Sequence, residues 1–174
     1  FGGKLRQTEP NCDAMETCVT FSWMQLNERL LEITGTPVYA GNIEKSIFNA
    51  LFASMKRDGS EIAKYLPLEG FRMGAIGQCG MPLHCCSANA PRAFAMIPRY
   101  VYLTRSGAVD VNLLVPSSAE VKVGKNVARL TMLTGYPQDG NSEITLECKG
   151  KPAFAMRVRI PEWAECADVR VNGV

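Results

Sequence analysis

Between residues 19 and 33 the apolar side chains Val19, Trp23, Leu26, Leu30 and Ile33 recur at steps of three and four. That spacing predicts an amphipathic helix, ended by Gly35 as a C′ glycine and by Pro37 as a breaker. A second helix is predicted over 38–55, with Ile43, Ile47, Ala50, Leu51 and Met55 on one stripe. The turn signal Asp58-Gly59 closes it. So short a link between the two helices implies an antiparallel hairpin. Residues 60–84 carry Pro67, Gly70, Gly74, Gly77, Gly80 and Pro82, too many breakers for a long helix. A third helix is expected from near Ser87, presenting Ala90, Phe94, Ile97 and Val101. Pro91 suits its first turn, and Pro98 ends or kinks it.

After Ser106-Gly107 the period changes to two. Val109, Val111, Leu113 and Val115 alternate with Asp110 and Asn112, Ile144, Leu146 and Cys148 with Glu143, Thr145 and Glu147, and Phe154, Met156, Val158 and Ile160 with Ala155, Arg157 and Arg159. These stretches predict half-buried strands, with Arg157 and Arg159 on the solvent side. Gly124-Lys125 and Asp139-Gly140-Asn141 suit hairpin turns. The fold class is therefore α+β in sequence order, with a helical part over 1–107 and a β part over 108–174. No internal repeat is evident.

Composition narrows the function classes. Of 174 residues 47% are apolar and 21% charged, the balance of a globular protein. A net charge of +2 without a basic run argues against nucleic acid as a partner. No apolar stretch approaches the roughly 20 residues of a membrane span. The chain opens on Phe1-Gly2-Gly3 and closes on Asn172-Gly173-Val174, which read as loop and turn, so truncation at both ends is expected. Seven cysteines, an odd number, and the lack of an N-x-Ser/Thr sequon lean towards a reducing, cytoplasmic compartment or towards metal ligation.

Of the seven, Cys148 reads as a buried side chain on the inner face of a strand, and Cys12, Cys79 and Cys166 default to the same reading. Cys85-Cys86 differ, because they stand in a Pro/Gly-rich loop just ahead of a helix, whose N-terminal dipole favours a thiolate. Together with Glu16-Thr17-Cys18 they offer three thiols and a carboxylate, a donor set that suits zinc. Residues two apart on a helix face nearly opposite ways, so Glu16 and Cys18 converge only before or at a helix start. An Asp13-x-x-Glu16 capping box competes, since it uses Glu16 to cap a backbone N–H. Phosphate-binding, dinucleotide-binding and serine-elbow motifs are absent. The single His84 excludes multi-histidine metal sites within this chain and reads as a surface or hydrogen-bonded histidine.

These residues resemble glycoside hydrolase family 127, the β-L-arabinofuranosidases. The resemblance rests on Glu16-Thr17-Cys18, Tyr39-Ala40, Ile47-Phe48-Asn49, Cys85-Cys86-x-x-Asn89, Tyr100-Val101-Tyr102, Arg159-Ile160-Pro161-x-Trp163 and Val171-Asn172-Gly173, and extends over nearly the whole chain. It implies the C-terminal part of an (α/α)6 barrel followed by part of a β-sandwich. It also implies a retaining glycosidase acting on L-arabinofuranosides or a related sugar. Glu16, Cys18, Cys85 and Cys86 match the family's zinc ligands, and Cys85 matches its cysteine nucleophile. The family's acid/base glutamate precedes the E-T-C motif in a longer loop, and Glu9 is the one carboxylate in 1–11. Most of the barrel, with its substrate-contacting histidines, is not in this chain. Two other readings stay open: a non-catalytic carbohydrate-binding or interaction protein that retains the fold, and a thiol-redox protein, against which the lack of C-x-x-C counts.

Overall fold

The computed structural model describes residues 16–67, 83–150 and 153–174. The expectations for Glu9, Cys12, Asp13 and Cys79, and for the glycines and Pro82 of 70–82, lie outside the described residues. Helix α1 spans Thr17–Thr34 and ends at Gly35, whose left-handed backbone (φ 67°) lets its N–H reach Leu31 O at 2.7 Å. Two residues later α2 begins at Pro37 and runs to Lys45, packed against α1. A π-helical segment, Ser46–Leu51, and a last turn, α3 (Phe52–Ser54), carry the rod on. The expected hairpin is present, and its second arm is wound more widely at its middle than the sequence suggested.

The face that α1 buries differs from the expected one. Phe21, Met24 and Leu31 are buried together with Thr17, Asn27 and Glu28, whereas Val19, Trp23, Leu26 and Ile33 are exposed. Both stripes obey helical spacing, and at 100° per residue they lie on opposite sides of the helix. The buried one was hidden by its polar members, each of which has a partner. Asn27 donates to Trp23 O and accepts from Asn42 Nδ2 at 2.9 Å, and Glu28 pairs with Arg99 at 2.9 Å.

Helix α4 runs Cys85–Val101, starting two residues earlier than expected, and packs on α1 through Cys86, Ala90 and Ala93. Pro91 is therefore past the first turn, and Pro98 does not end the helix, which continues through both prolines. Phe21, Met24, Ile43, Ile47, Leu51, Ala90, Ala93, Tyr100 and Leu113 form the helical core.

The chain then passes directly into strands β1 (Tyr102–Arg105) and β2 (Ala108–Val111), which pair antiparallel, with β6 (Ala155–Val158) parallel to β2. The predicted strand over 109–115 stops at Val111, because Leu113 and Val115 turn into the helical core. Strands β3 (Ser117–Val123), β4 (Asn126–Thr134) and β5 (Ser142–Cys148) form a second, antiparallel sheet. Gly124-Lys125 makes the two-residue β3–β4 turn, and Asp139-Gly140-Asn141 lies in the β4–β5 connection, as expected. Val109 from the first sheet shares one core with Val121, Val123, Ala128 and Leu130 from the second, joined by the half-buried Cys148. Cys166 is exposed, contrary to the buried default, since it follows β6 in a stretch without strand or helix.

The solvent-side expectation for Arg159 is also overturned. Arg159 is buried and Ile160 exposed. The backbone N–H of Arg159 extends the ladder to Val111 O at 3.0 Å, its Nε donates to Asn112 O, and its Nη2 meets Glu44 Oε1 at 2.6 Å. Tyr136 donates to the same carboxylate oxygen at 3.0 Å and stacks on Trp163. Helix α2 is thereby fixed to the β part by a buried ion pair.

Candidate metal and active site

Glu16 is extended (φ −75°, ψ 137°) and is the last residue before α1; its backbone bridges antiparallel to Tyr65. Thr17 next to it is fully buried. Its Oγ1 donates to Ala63 O at 2.7 Å and its N–H to Lys64 O at 3.1 Å. This pair of bonds sets the directions in which residues 16 and 18 leave the backbone. The glutamate of a capping box stands at the third helical position, whereas Glu16 is extended and precedes α1, which does not fit that alternative.

A matching start occurs at α4, where His84 is extended and Cys85 and Cys86 are the first two helical residues. Two helix N-termini from distant parts of the chain thus meet. Neither has an acidic residue in its first turn, so the partial positive charge of both ends falls on the thiols. Cys18 Sγ lies 3.1 Å from Cys86 Sγ, Cys85 Sγ lies 3.9 Å from Cys86 Sγ, and all three sulfurs fall within 4.8 Å of one another. Cys86 is buried, Cys18 half-buried and Cys85 exposed. No disulfide joins the described cysteines.

Of the four ligands the sequence suggested, the structure brings Cys18, Cys85 and Cys86 together. The Glu16 carboxylate stays outside that group and faces Lys64 Nζ at 3.8 Å. Desolvation pushes the Cys85 thiol above its ordinary range, helped by Cys18 and by the Glu16 charge nearby. Burial pushes Cys86 up much further. The two helix ends do not offset that desolvation at Cys85 and Cys86.

Asn89, quoted above only as part of a motif, donates its Nδ2 to Cys18 Sγ at 3.2 Å. Its place four residues after Cys85 is the sequence signal that puts it on the same helix face. His84 departs from its expected reading. It is buried, and neither ring nitrogen has a hydrogen-bond partner among the described residues. Beside the thiols a cavity of about 600 Å³ opens between α1 and α4, lined by Ser22, Gln25, Asn89, Arg92 and Met96 among others. Among the described residues, no helix is long and apolar enough to cross a membrane.

Fold and site together define an α+β protein with a three-thiol, metal-competent centre at paired helix starts. Residues 4–99 match the sequence profile of the GH127 β-L-arabinofuranosidase catalytic domain, and residues 108–174 match that of the GH127 middle domain. The chain belongs to the GH127 β-L-arabinofuranosidase family. It is 25% identical over 177 aligned positions to the non-reducing end β-L-arabinofuranosidase of Bifidobacterium longum, covering 91% of this chain and 26% of that protein. The crystal structure of a GH127 β-L-arabinofuranosidase from Geobacillus stearothermophilus T6 superposes with a TM-score of 0.84 at 28% identity, covering 94% of this chain and 28% of that one. A GH127 β-arabinofuranosidase, BT3674, gives a TM-score of 0.75 at 30% identity, covering 85% and 23%. The chain spans about a quarter of the length of these relatives.

Proposed function

We propose that this chain carries the nucleophile and metal centre of a retaining glycosidase acting on β-L-arabinofuranosides or a closely related sugar. We also propose that 1–107 form the end of an (α/α)6 barrel and 108–174 the start of a β-sandwich. The observation that carries the reading is the group of three thiols at two helix starts, within a region that matches a glycosidase catalytic domain.

The donor set fits zinc. Sulfurs about 2.3 Å from one tetrahedral zinc stand roughly 3.8 Å apart, the spacing of Cys85 and Cys86. Cys18 and Cys86 are closer and must part by several tenths of an ångström. Cys18, Cys85 and Cys86 would hold the ion, with Glu16 released from Lys64 as fourth donor. Bound zinc would supply the positive charge that keeps these thiols deprotonated at neutral pH.

Cys85 takes the nucleophile's role because it is the exposed member of the three. Its sulfur attacks the anomeric carbon, the bond from that carbon to the leaving oxygen breaks, and a carboxylic acid protonates the departing alcohol. Water, deprotonated by the same carboxylate, then displaces the cysteine sulfur and releases the sugar with its anomeric configuration retained. Glu9 is the candidate for that carboxylate and lies outside the described residues.

Metal analysis and active-site labelling test the reading. One zinc per chain is expected, as is covalent capture of an arabinofuranosyl electrophile on the peptide containing Cys85. Absence of stoichiometric zinc, together with hydrolysis that survives Cys85→Ser, would overturn it. Bound zinc and sugar without capture or turnover would point instead to a binding protein that retains the fold.

A further inference from the structure

Asn89 makes two hydrogen bonds in opposite directions. Its Nδ2 donates to Cys18 Sγ at 3.2 Å, and its Oδ1 accepts from Arg92 Nη1 at 3.4 Å. A guanidinium has donors only, so Arg92 selects the oxygen end of the amide and leaves the N–H end for the sulfur. Cys85, Asn89 and Arg92 stand at i, i+4 and i+7 on α4, one stripe that looks across at Cys18 on α1.

We infer that Asn89 is a positioning residue for the thiol centre and that Arg92 acts through it by fixing the amide. The inference rests on the metal reading proposed above. An N–H···S bond draws electron density from a thiolate. Cys18 therefore becomes a weaker nucleophile and a better-anchored ligand, while Cys85 keeps the reactive role. The amide adds to the difference in exposure that already separates these two sulfurs. Groups that orient metal ligands in this way are worth about 10- to 100-fold in metal affinity.

Cobalt substitution reads this directly, because the sulfur-to-cobalt charge-transfer band follows the electron density on the thiolates. Co²⁺ titrated into wild type should give that band at one equivalent. Asn89→Leu should move the band to lower energy and weaken Co²⁺ binding about tenfold. Arg92→Gln, at an exposed position, should shift the band in the same direction by less. Where Asn89→Leu does not fold, wild type loaded with ¹¹³Cd supplies a second measurement. A scalar coupling from the Asn89 amide proton to cadmium, carried across the N–H···S bond, is expected, and its absence would overturn the inference. A wild-type protein that takes up no Co²⁺ with a thiolate band overturns the metal reading and this inference with it. A wild-type band that stays in place in both variants overturns the inference alone.

Discussion

Replacing Arg159 with methionine removes the cation from an ion pair whose side chains are 4% and 6% exposed. Among the described residues Glu44 would keep only the Tyr136 hydroxyl as a hydrogen-bond partner, and Asn112 O would lose its donor from Arg159 Nε. Breaking a buried pair by deleting one member costs about 3–5 kcal/mol, because the remaining charge stays desolvated. Against a total stability of roughly 5–15 kcal/mol for a folded domain, that is a large fraction. With a urea slope of about 2 kcal/mol/M, the unfolding midpoint should fall by about 2 M. The double variant Glu44→Leu/Arg159→Met removes both charges and should recover most of the loss, since apolar replacement of an entire buried pair is often neutral or better. Urea denaturation of wild type, both single variants and the double variant gives the complete cycle. The reasoning fails if Arg159→Met costs under about 1 kcal/mol, or if the double variant loses the sum of the two singles.

Thr17→Val keeps the shape of a fully buried residue but strips the donor from Ala63 O. A loss of about 1–2 kcal/mol in thermal denaturation is expected, with weaker zinc uptake because residues 16 and 18 lose their anchor. Gly35→Ala places a side chain at φ 67° and pushes against the Arg105 guanidinium. The melting point should drop by the equivalent of about 1–2 kcal/mol, and an unchanged melting point would contradict the left-handed cap. Burial first, then the Glu44 charge, pushes the Tyr136 hydroxyl up to about 12, and burial first, then Glu28, does the same for Tyr100. Each native state holds its proton more tightly than the unfolded chain does. Their stabilisation is thus complete below pH 10 and is lost as pH rises towards 12. Equilibrium unfolding followed from pH 9 to 12 should show that decline, and Tyr136→Phe should flatten it.

The sequence made the helices legible where apolar spacing and breakers agreed, as at Gly35-Thr36-Pro37. It misled where a helix carries apolar residues on two sides. On α1 the more apolar stripe, with Trp23 and Ile33, is the exposed one, while Asn27 and Glu28 lie in the buried stripe with partners from other elements. The π-helical segment was also invisible, although its trace is there in hindsight. Ile43, Ile47 and Leu51 recur at uniform steps of four, which drift around an α-helix but stay aligned when the middle turn is wider. Strand β4 was obscured because Val127 and Leu133 are exposed apolar residues that blur the alternation of Ala128, Leu130 and Met132. The burial of Arg159 depends on a carboxylate 115 residues away, which no local pattern encodes. At the site, the residue types announced thiol chemistry. The contact between Asn89 and Cys18, and the pairing of Glu16 with Lys64, arise only from tertiary packing.

The 68-residue separation between Cys18 and Cys86 bears on the order of events during folding. The two stretches have no local reason to meet, and closing so long a loop carries an entropic cost that only the docked helices offset. The thiol trio is therefore complete only when α4 is docked on α1. A cation that binds the assembled trio and not the separated thiols stabilises the docked state by mass action, by about 2.7 kcal/mol at a hundredfold excess over its Kd. Such an ion acts as a latch on assembly as well as a chemical participant.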